Sequence, residues 1–325
     1  MVRLPDKYRP DTLDEIVGQD HVIPALKRIV ARTKTEGGVP PHLLFIGPPG
    51  CGKTTAGIAL AKELWGDKWT HRFKEFNASD VRKIDDVRTR YKVLSQHKKD
   101  RMLLLDEADR LTIDAQHAMR RVMEKTKSTC FILTGNSMDS IIEALHSRCA
   151  VFIFRRLDDK IVLKQILKVC QAEGISYEDK QARDGLIQLA RGSRGDMRSA
   201  LNNLVKLIDE DKSITVENAM LLQKPEIAAE ALMKAIDGDS LTAREIIENA
   251  YIETGFSYKD IIDVLWEALP GVPSEEVRNR LYRELAVTQA RCAVVSNPLI
   301  QLIGFIMYAW IAPRLKRCPA LEGER

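Results

Sequence analysis

FIGPPGCGKTTAG, Phe45 to Gly57, carries the spacing GxxxxGKT, with Gly47 and Gly52 bracketing Pro48, Pro49, Gly50 and Cys51, and with Lys53, Thr54 and Thr55 following. Such a loop wraps an anion. Its glycines let successive backbone N–H groups turn inward around phosphate oxygens, and the helix that follows adds the positive end of its dipole. Lys53 is placed to reach the β- and γ-phosphates of a nucleotide, and the Thr54 hydroxyl to ligate Mg²⁺. A glycine-rich turn before an ordinary helix could be spelled similarly. Here, however, Leu43-Leu44-Phe45-Ile46 reads as a buried strand and Thr54 to Leu64 as a helix, the strand–loop–helix context that the motif requires.

The rest of the chain sets the bounds. Its 325 residues suffice for two or three domains, and 45% apolar with 30% charged residues reads as a soluble globular protein. No apolar run approaches a membrane span, and MVRLPDKYRP at the N-terminus has no signal-peptide core. The six cysteines (51, 130, 149, 170, 292 and 318) form no CxxC pair and no zinc spacing, so they read as reduced thiols. Net charge is only +4, yet Lys68 to Arg101 holds 11 Lys/Arg against 5 Asp/Glu. That excess suggests a polyanionic partner, although solvated surface is the commoner cause of such runs.

Five short apolar runs predict core strands: Leu43–Ile46, Phe73–Phe76, Met102–Leu105, Cys130–Thr134 and Val151–Phe154. Helical segments lie between them, which predicts an α/β unit on a mainly parallel sheet. In Asp114 to Lys125, Ala115, Ala118, Met119 and Val122 recur at i, i+3, i+4 and i+7 and make one buried stripe. After Phe154 the strand signals stop. Residues 158 to 222 read as three or four helices broken at Gly174, Gly192 to Gly195 and Asp211 to Ser213. From Pro225 onward helices continue, broken near Gly238, Gly255 and Pro270 to Pro273. The expected plan is an α/β domain over residues 1–157, a helical domain over 158–224 and another over 225–325.

Leu103-Leu104-Leu105-Asp106-Glu107-Ala108-Asp109 is a hydrophobic strand ending in acids. Asp106 is expected to hold the hydration shell of Mg²⁺ beside the phosphate loop, and Glu107 to orient or deprotonate an attacking water. The spelling DEAD also occurs in nucleic-acid helicases, whose second RecA-like domain has no counterpart here. The strand Cys130–Thr134 runs into Gly135-Asn136. If that strand lies between the two motif strands, the Asn136 amide can bond both water and γ-phosphate; by itself it reads as a loop asparagine.

The order Lys7-Tyr8-Arg9-Pro10, Ile16-Val17-Gly18-Gln19, Gly47 to Thr54, Asn77-Ala78-Ser79-Asp80, Asp106 to Asp109, Ser147-Arg148-Cys149 and Gly195-Asp196-Met197-Arg198 resembles the AAA+ sliding-clamp loaders, nearest to replication factor C small subunits of archaeal type. The resemblance is dense over the first two domains. It implies an AAA+ P-loop NTPase domain with a parallel five-stranded sheet, then an all-helical lid and an all-helical collar. It further implies that Tyr8, Arg9, Pro10 and Val17 pack around adenine, that Asn136 is sensor 1 and that Arg198 is the sensor 2 arginine. By the same resemblance Arg148 is a finger acting on ATP in a neighbouring subunit, although alone it reads as a cationic helix end. A guanidinium from a second chain would neutralise charge that develops in phosphoryl transfer.

In these loaders the helices after the NASD segment and after the DEAD box track duplex backbone. That makes Arg82, Lys83, Arg88, Arg90, Arg110 and Arg121 DNA-binding candidates, reading phosphates more than bases. The implied partners are other loader subunits, a ring-shaped sliding clamp and primer-template DNA; the implied ligands are ATP and Mg²⁺. Two segments depart from the family: Val81-Arg82-Lys83 replaces an acid, an arginine and a glycine, and Thr134 to Asp139 is atypical around sensor 1. They suggest a specialised small subunit working beside a more typical paralogue. The helix Pro298 to Ile311 is expected to be a core helix, and the resemblance makes its domain an oligomerising collar. Two other readings stand beside this one: a DNA motor of branch-migration type, and an ATP-binding scaffold subunit. The expected location is a prokaryotic cytoplasm, or the nucleus if the source is eukaryotic.

Overall fold

The computed structural model describes residues 3–78, 100–209, 214–221, 226–252 and 256–315, which fall into two compact units, residues 1–221 and 222–325. The first unit opens with a short helix α1 (Leu4–Lys7) and a longer α2 (Ile23–Glu36). There follow β1 (Leu43–Ile46), α3 (Lys53–Trp65), α4 (Trp69–Arg72), β2 (Phe73–Asn77) and β3 (Arg101–Asp106). Then come α5 (Ile113–Lys125), β4 (Thr129–Gly135), α6 (Glu143–His146) and β5 (Ala150–Ile153). All five expected strands form, with ends that match or shift by one residue.

Every pairing in the sheet is parallel and the spatial order is β2-β3-β4-β1-β5. Side chains alternate across it. Leu43, Phe45, Met102, Leu104, Cys130 and Ile132 enter one core with Leu26 and Val30 of α2 and Leu60 of α3. Leu44, Ile46, Leu103, Leu105, Phe131 and Leu133 enter the other with Ala115, Met119 and Val122 of α5. A sheet buried on both faces needs continuous apolar strands, which is why these runs carry no polar alternation. The α5 stripe faces the sheet as expected, and Thr112 caps the helix by accepting from the Ala115 N–H.

The same unit continues through α7 (Asp159–Glu173), α8 (Lys180–Gly192), α9 (Met197–Asp209) and α10 (Val216–Leu221). Helix α7 is capped by Asp158 at its start and ends on Gly174 at φ 70°, a left-handed position that glycine occupies without penalty. The break expected at Asp211 to Ser213 lies outside the described residues.

The second unit is wholly helical where described: α11 (Glu226–Asp237), α12 (Ser240–Ile252), α13 (Tyr258–Ala268), α14 (Glu275–Cys292) and α15 (Pro298–Ile311). Helix α15 buries Leu302, Phe305, Ile306 and Ala309 against α11, α12 and α14, so the most apolar stretch of the sequence is a core helix. No described helix is long and apolar enough to cross a membrane.

Candidate functional site

In an open parallel sheet the loops that follow adjacent strands form a crevice at their carboxyl ends. Strands β3, β4 and β1 are neighbours, so the acids after β3, the Gly135-Asn136 turn after β4 and the phosphate loop after β1 stand side by side. The condition set for Asn136 is met, since β4 lies between the two motif strands. Around this edge opens a cavity of about 710 Å³.

At the loop, Gly52 has φ 101° and precedes α3, while Gly50 has φ 67°. A Cβ on Gly50 would stand 1.8 Å from Asp196 Oδ1. Only glycine permits both that backbone and that approach. Lys53 is 9% exposed, and its ammonium donates to Gly47 O (2.7 Å), Pro48 O (2.8 Å) and Asn136 Oδ1 (3.3 Å). All three protons are thereby placed, and burial pushes the Lys53 pKa down from its ordinary value against the pull of nearby acids.

Asp106 Oδ1 accepts from Thr54 Oγ1 at 2.9 Å and from Thr134 Oγ1 at 2.5 Å, and Thr134 Oγ1 also accepts from the Glu107 N–H at 3.1 Å. A hydroxyl and a carboxylate converging this closely are the oxygen donors that Mg²⁺ takes, so Thr54 and Asp106 fit the cofactor expected of them. Glu107 sits at φ 57°, ψ 40°, a left-handed conformation unusual for a side-chain-bearing residue. Its carboxylate lies 3.2 Å from Arg110 Nε. Asp109 Oδ2 accepts from the Asn136 backbone N–H at 3.1 Å and from its amide at 3.4 Å, which turns the amide oxygen toward Lys53.

The helices of this unit complete the walls. Arg198 sits in the first turn of α9 and lines the cavity with Met197 and Leu201; the Met197 N–H donates to Gly50 O at 3.3 Å. Tyr8, Arg9, Pro10 and Val17 line it too, as do Pro49, Cys51, Thr54 and Thr55. Gly47 and Pro48 do not; they contribute the carbonyls that hold Lys53. Arg148 also lies outside the cavity lining. It is half exposed, donating to Glu124 Oε1 at 2.9 Å, an oxygen that Arg120 Nε approaches at 3.4 Å. Of the DNA-binding candidates, Arg110 and Arg121 are exposed, the former paired with Glu107. Arg82, Lys83, Arg88 and Arg90 lie outside the described residues.

Three positioning groups carried no signal that assigned them a task. Gln19 is fully buried and bridges Cys51 O, Arg155 O and the Arg155 N–H. Thr134 joins the two acids, and Asp109 holds Asn136. Each acts through a strand or loop that is distant in sequence, so only the order of the sheet brings it to its partner.

A phosphate loop after β1, acids after β3 and an amide after β4, on a parallel sheet of this order, define a P-loop ATPase of the AAA class. The model of the ATPase family associated with various cellular activities (AAA) matches residues 43–157. Residues 224–308 match the replication factor C C-terminal domain. The chain is 39% identical over 316 residues to the replication factor C small subunit of Archaeoglobus fulgidus, covering 93% of this chain and 95% of that protein. To the replication factor C small subunit of Natronomonas pharaonis it is 42% identical over 277 residues, covering 81% and 82%. The chain belongs to the replication factor C small-subunit family. It is accordingly an ATPase that serves DNA replication as part of a clamp-loader complex with other subunits. Among solved structures, the Thermotoga maritima RuvB Holliday junction branch migration motor superposes with a TM-score of 0.57 at 19% identity, covering 84% of this chain and 98% of that one. That likeness concerns the fold; the motor reading is not favoured.

Proposed function

We propose that this chain binds Mg·ATP in the 710 Å³ cavity and uses hydrolysis to place a ring-shaped sliding clamp on primer-template DNA. The observation that carries the reading is the partition of charged and polar groups. Lys53, Thr54, Asp106, Glu107, Asn136 and Arg198 surround one cavity, whereas Arg148 stands apart from it on Glu124. Lys53 and Arg198 would counter the phosphate charge, and Thr54 with Asp106 would hold Mg²⁺, which supplies charge neutralisation at the phosphates when bound. Glu107, once free of Arg110, would orient the attacking water, with Asn136 holding that water against the γ-phosphate. Tyr8, Arg9, Pro10 and Val17 would enclose the base.

Arg148 would serve the nucleotide of an adjoining subunit, which makes hydrolysis depend on assembly. Residues 1–157 would act as the nucleotide-binding domain, 158–224 as a lid and 225–325 as the assembling collar. Arg110 and Arg121 supply exposed positive charge for DNA phosphates, and the archaeal sources of the relatives favour a prokaryotic cytoplasm.

The test is the ATPase rate of the co-expressed complex, with and without primed DNA and clamp, for wild type and Arg148→Ala. Stimulation by DNA and clamp together, lost in the variant while ATP binding persists, is the expected result. A rate indifferent to the clamp sinks the proposal, pointing to a motor if DNA alone stimulates and to a scaffold if nothing does. Mass measurement of the native complex tests the specialised-subunit reading, which four identical small subunits beside one large one would overturn.

A further inference from the structure

One wall of the cavity spans two parts of the first unit. Leu13 and Ile16 are buried in the α/β core, yet α1, a few residues earlier, packs against α9. Residues 5–17 therefore cross from the helices to the sheet and line the cavity as they go. A four-residue helix such as α1 is too short to hold itself together, so something else must fix this crossing.

One such group sits at the last residue of α7. Gln165, Lys168 and Val169 of α7 line the cavity, and Glu173 follows on the same helical face at i+8 from Gln165 and i+4 from Val169. Glu173 Oε1 accepts from Lys7 Nζ at 2.6 Å and from Tyr8 Oη at 2.5 Å. Lys7 Nζ also stands 5.5 Å from the centre of the Tyr8 ring, so the three side chains form one cluster across 165 residues of sequence. Tyr8 thus lines the cavity while its hydroxyl is held by the last residue of α7. Glu173 itself does not line the cavity.

We propose that Glu173 is a positioning residue for nucleotide retention: its carboxylate fastens Lys7 and Tyr8 to α7, and so closes the wall of residues 5–17 over bound adenine nucleotide. The inference rests on the reading of the cavity as the ATP site. It assigns to this contact the residence time of nucleotide and not the chemical step, because Lys53, Glu107 and Asn136 owe no bond to it. It also links retention to the helices. Any displacement of α7 and α9 from the sheet must either pull the wall along or break the cluster.

The experiment measures release of a fluorescent N-methylanthraniloyl-ADP from the full-length chain, chased with unlabelled ADP in stopped flow. Glu173→Ala is expected to speed release about three- to tenfold, the range for loss of two charge-assisted bonds at a partly exposed site. Tyr8→Phe is expected to speed it too, and the double variant to be no faster than Glu173→Ala alone, since both remove one linked contact. Glu173→Gln, which keeps an acceptor in place, is expected to fall between wild type and Glu173→Ala. In steady state Glu173→Ala should raise KM and leave kcat within about twofold. Unchanged release in both Glu173 variants, multiplicative effects in the double variant, or a fall in kcat at constant KM would each overturn the proposal. A wild-type chain that fails to bind the probe would instead refute the nucleotide site itself.

Discussion

Replacing Gln19 by leucine tests whether a buried amide holds the phosphate loop in place. Gln19 has 0% exposure, and its side chain makes three hydrogen bonds, at 3.2 Å to Cys51 O, 2.8 Å to Arg155 O and 3.1 Å from the Arg155 N–H. These link the loop after β1 to the chain leaving β5. Leucine is larger by about one methylene and can meet none of them. At a net value of about 1 kcal/mol for each bond the loss is about 3 kcal/mol, offset by about 1 kcal/mol from the more apolar side chain.

The expected cost of Gln19→Leu is therefore about 2 kcal/mol, concentrated in residues 43–57 and 150–157. Because the chain has two compact units, a single global unfolding midpoint is a poor readout, and local opening is the better one. Amide hydrogen exchange, followed by mass spectrometry of peptides from those two segments, should quicken about thirtyfold, while peptides from α11 to α15 stay unchanged. ADP affinity should fall with it, since Cys51 lines the cavity. Exchange altered by less than twofold with affinity intact would refute the reasoning and reduce Gln19 to a filler of space.

Gly50→Ala should weaken nucleotide binding at least about tenfold in equilibrium titration, because a left-handed φ and a contact at 1.8 Å both resist a methyl group there. Burial pushes the Cys149 thiol up to about 12 and the Cys170 thiol up to about 11, so both should alkylate far more slowly in the native chain than in urea at pH 8; equal rates by peptide mass spectrometry would contradict this. Hydrogen bonds from Lys7 and then Tyr8 hold the Glu173 carboxyl below its ordinary 4.5. A depressed carboxylate stabilises at pH above its unfolded value and loses that contribution as pH falls through the folded one. The difference in nucleotide release between wild type and Glu173→Ala should accordingly be flat from about pH 8 to about pH 5.5, and a decline within that window would count against it. Asp109→Ala should slow turnover while leaving ADP affinity near wild type, since it removes the acceptor that holds the Asn136 amide and leaves two carbonyl partners on Lys53.

Much of this molecule is local in origin. The GxxxxGKT spacing, the apolar run before it and the acids closing β3 are contiguous features whose backbone needs dictate their residue types, so loop, strand and helix could be read directly. The periodic stripe of α5 and the stop at Gly174 belong to the same class. What remained closed to sequence was the meeting of distant segments. Sheet order alone sets Asn136 between the loop and the acids and gives Asp106 a second hydroxyl from Thr134. Folding of the N-terminal segment onto α7 and α9 creates the Lys7–Tyr8–Glu173 cluster, and it needs 165 intervening residues to return to within a hydrogen bond. Arg110 likewise reads from sequence as one of several candidates for DNA phosphates, and the structure pairs it with Glu107, which sits in a left-handed turn. Local chemistry follows from backbone propensity and residue type along the chain. Partner choice follows from packing, in which the burial of both sheet faces decides which strands are neighbours and thereby which side chains meet.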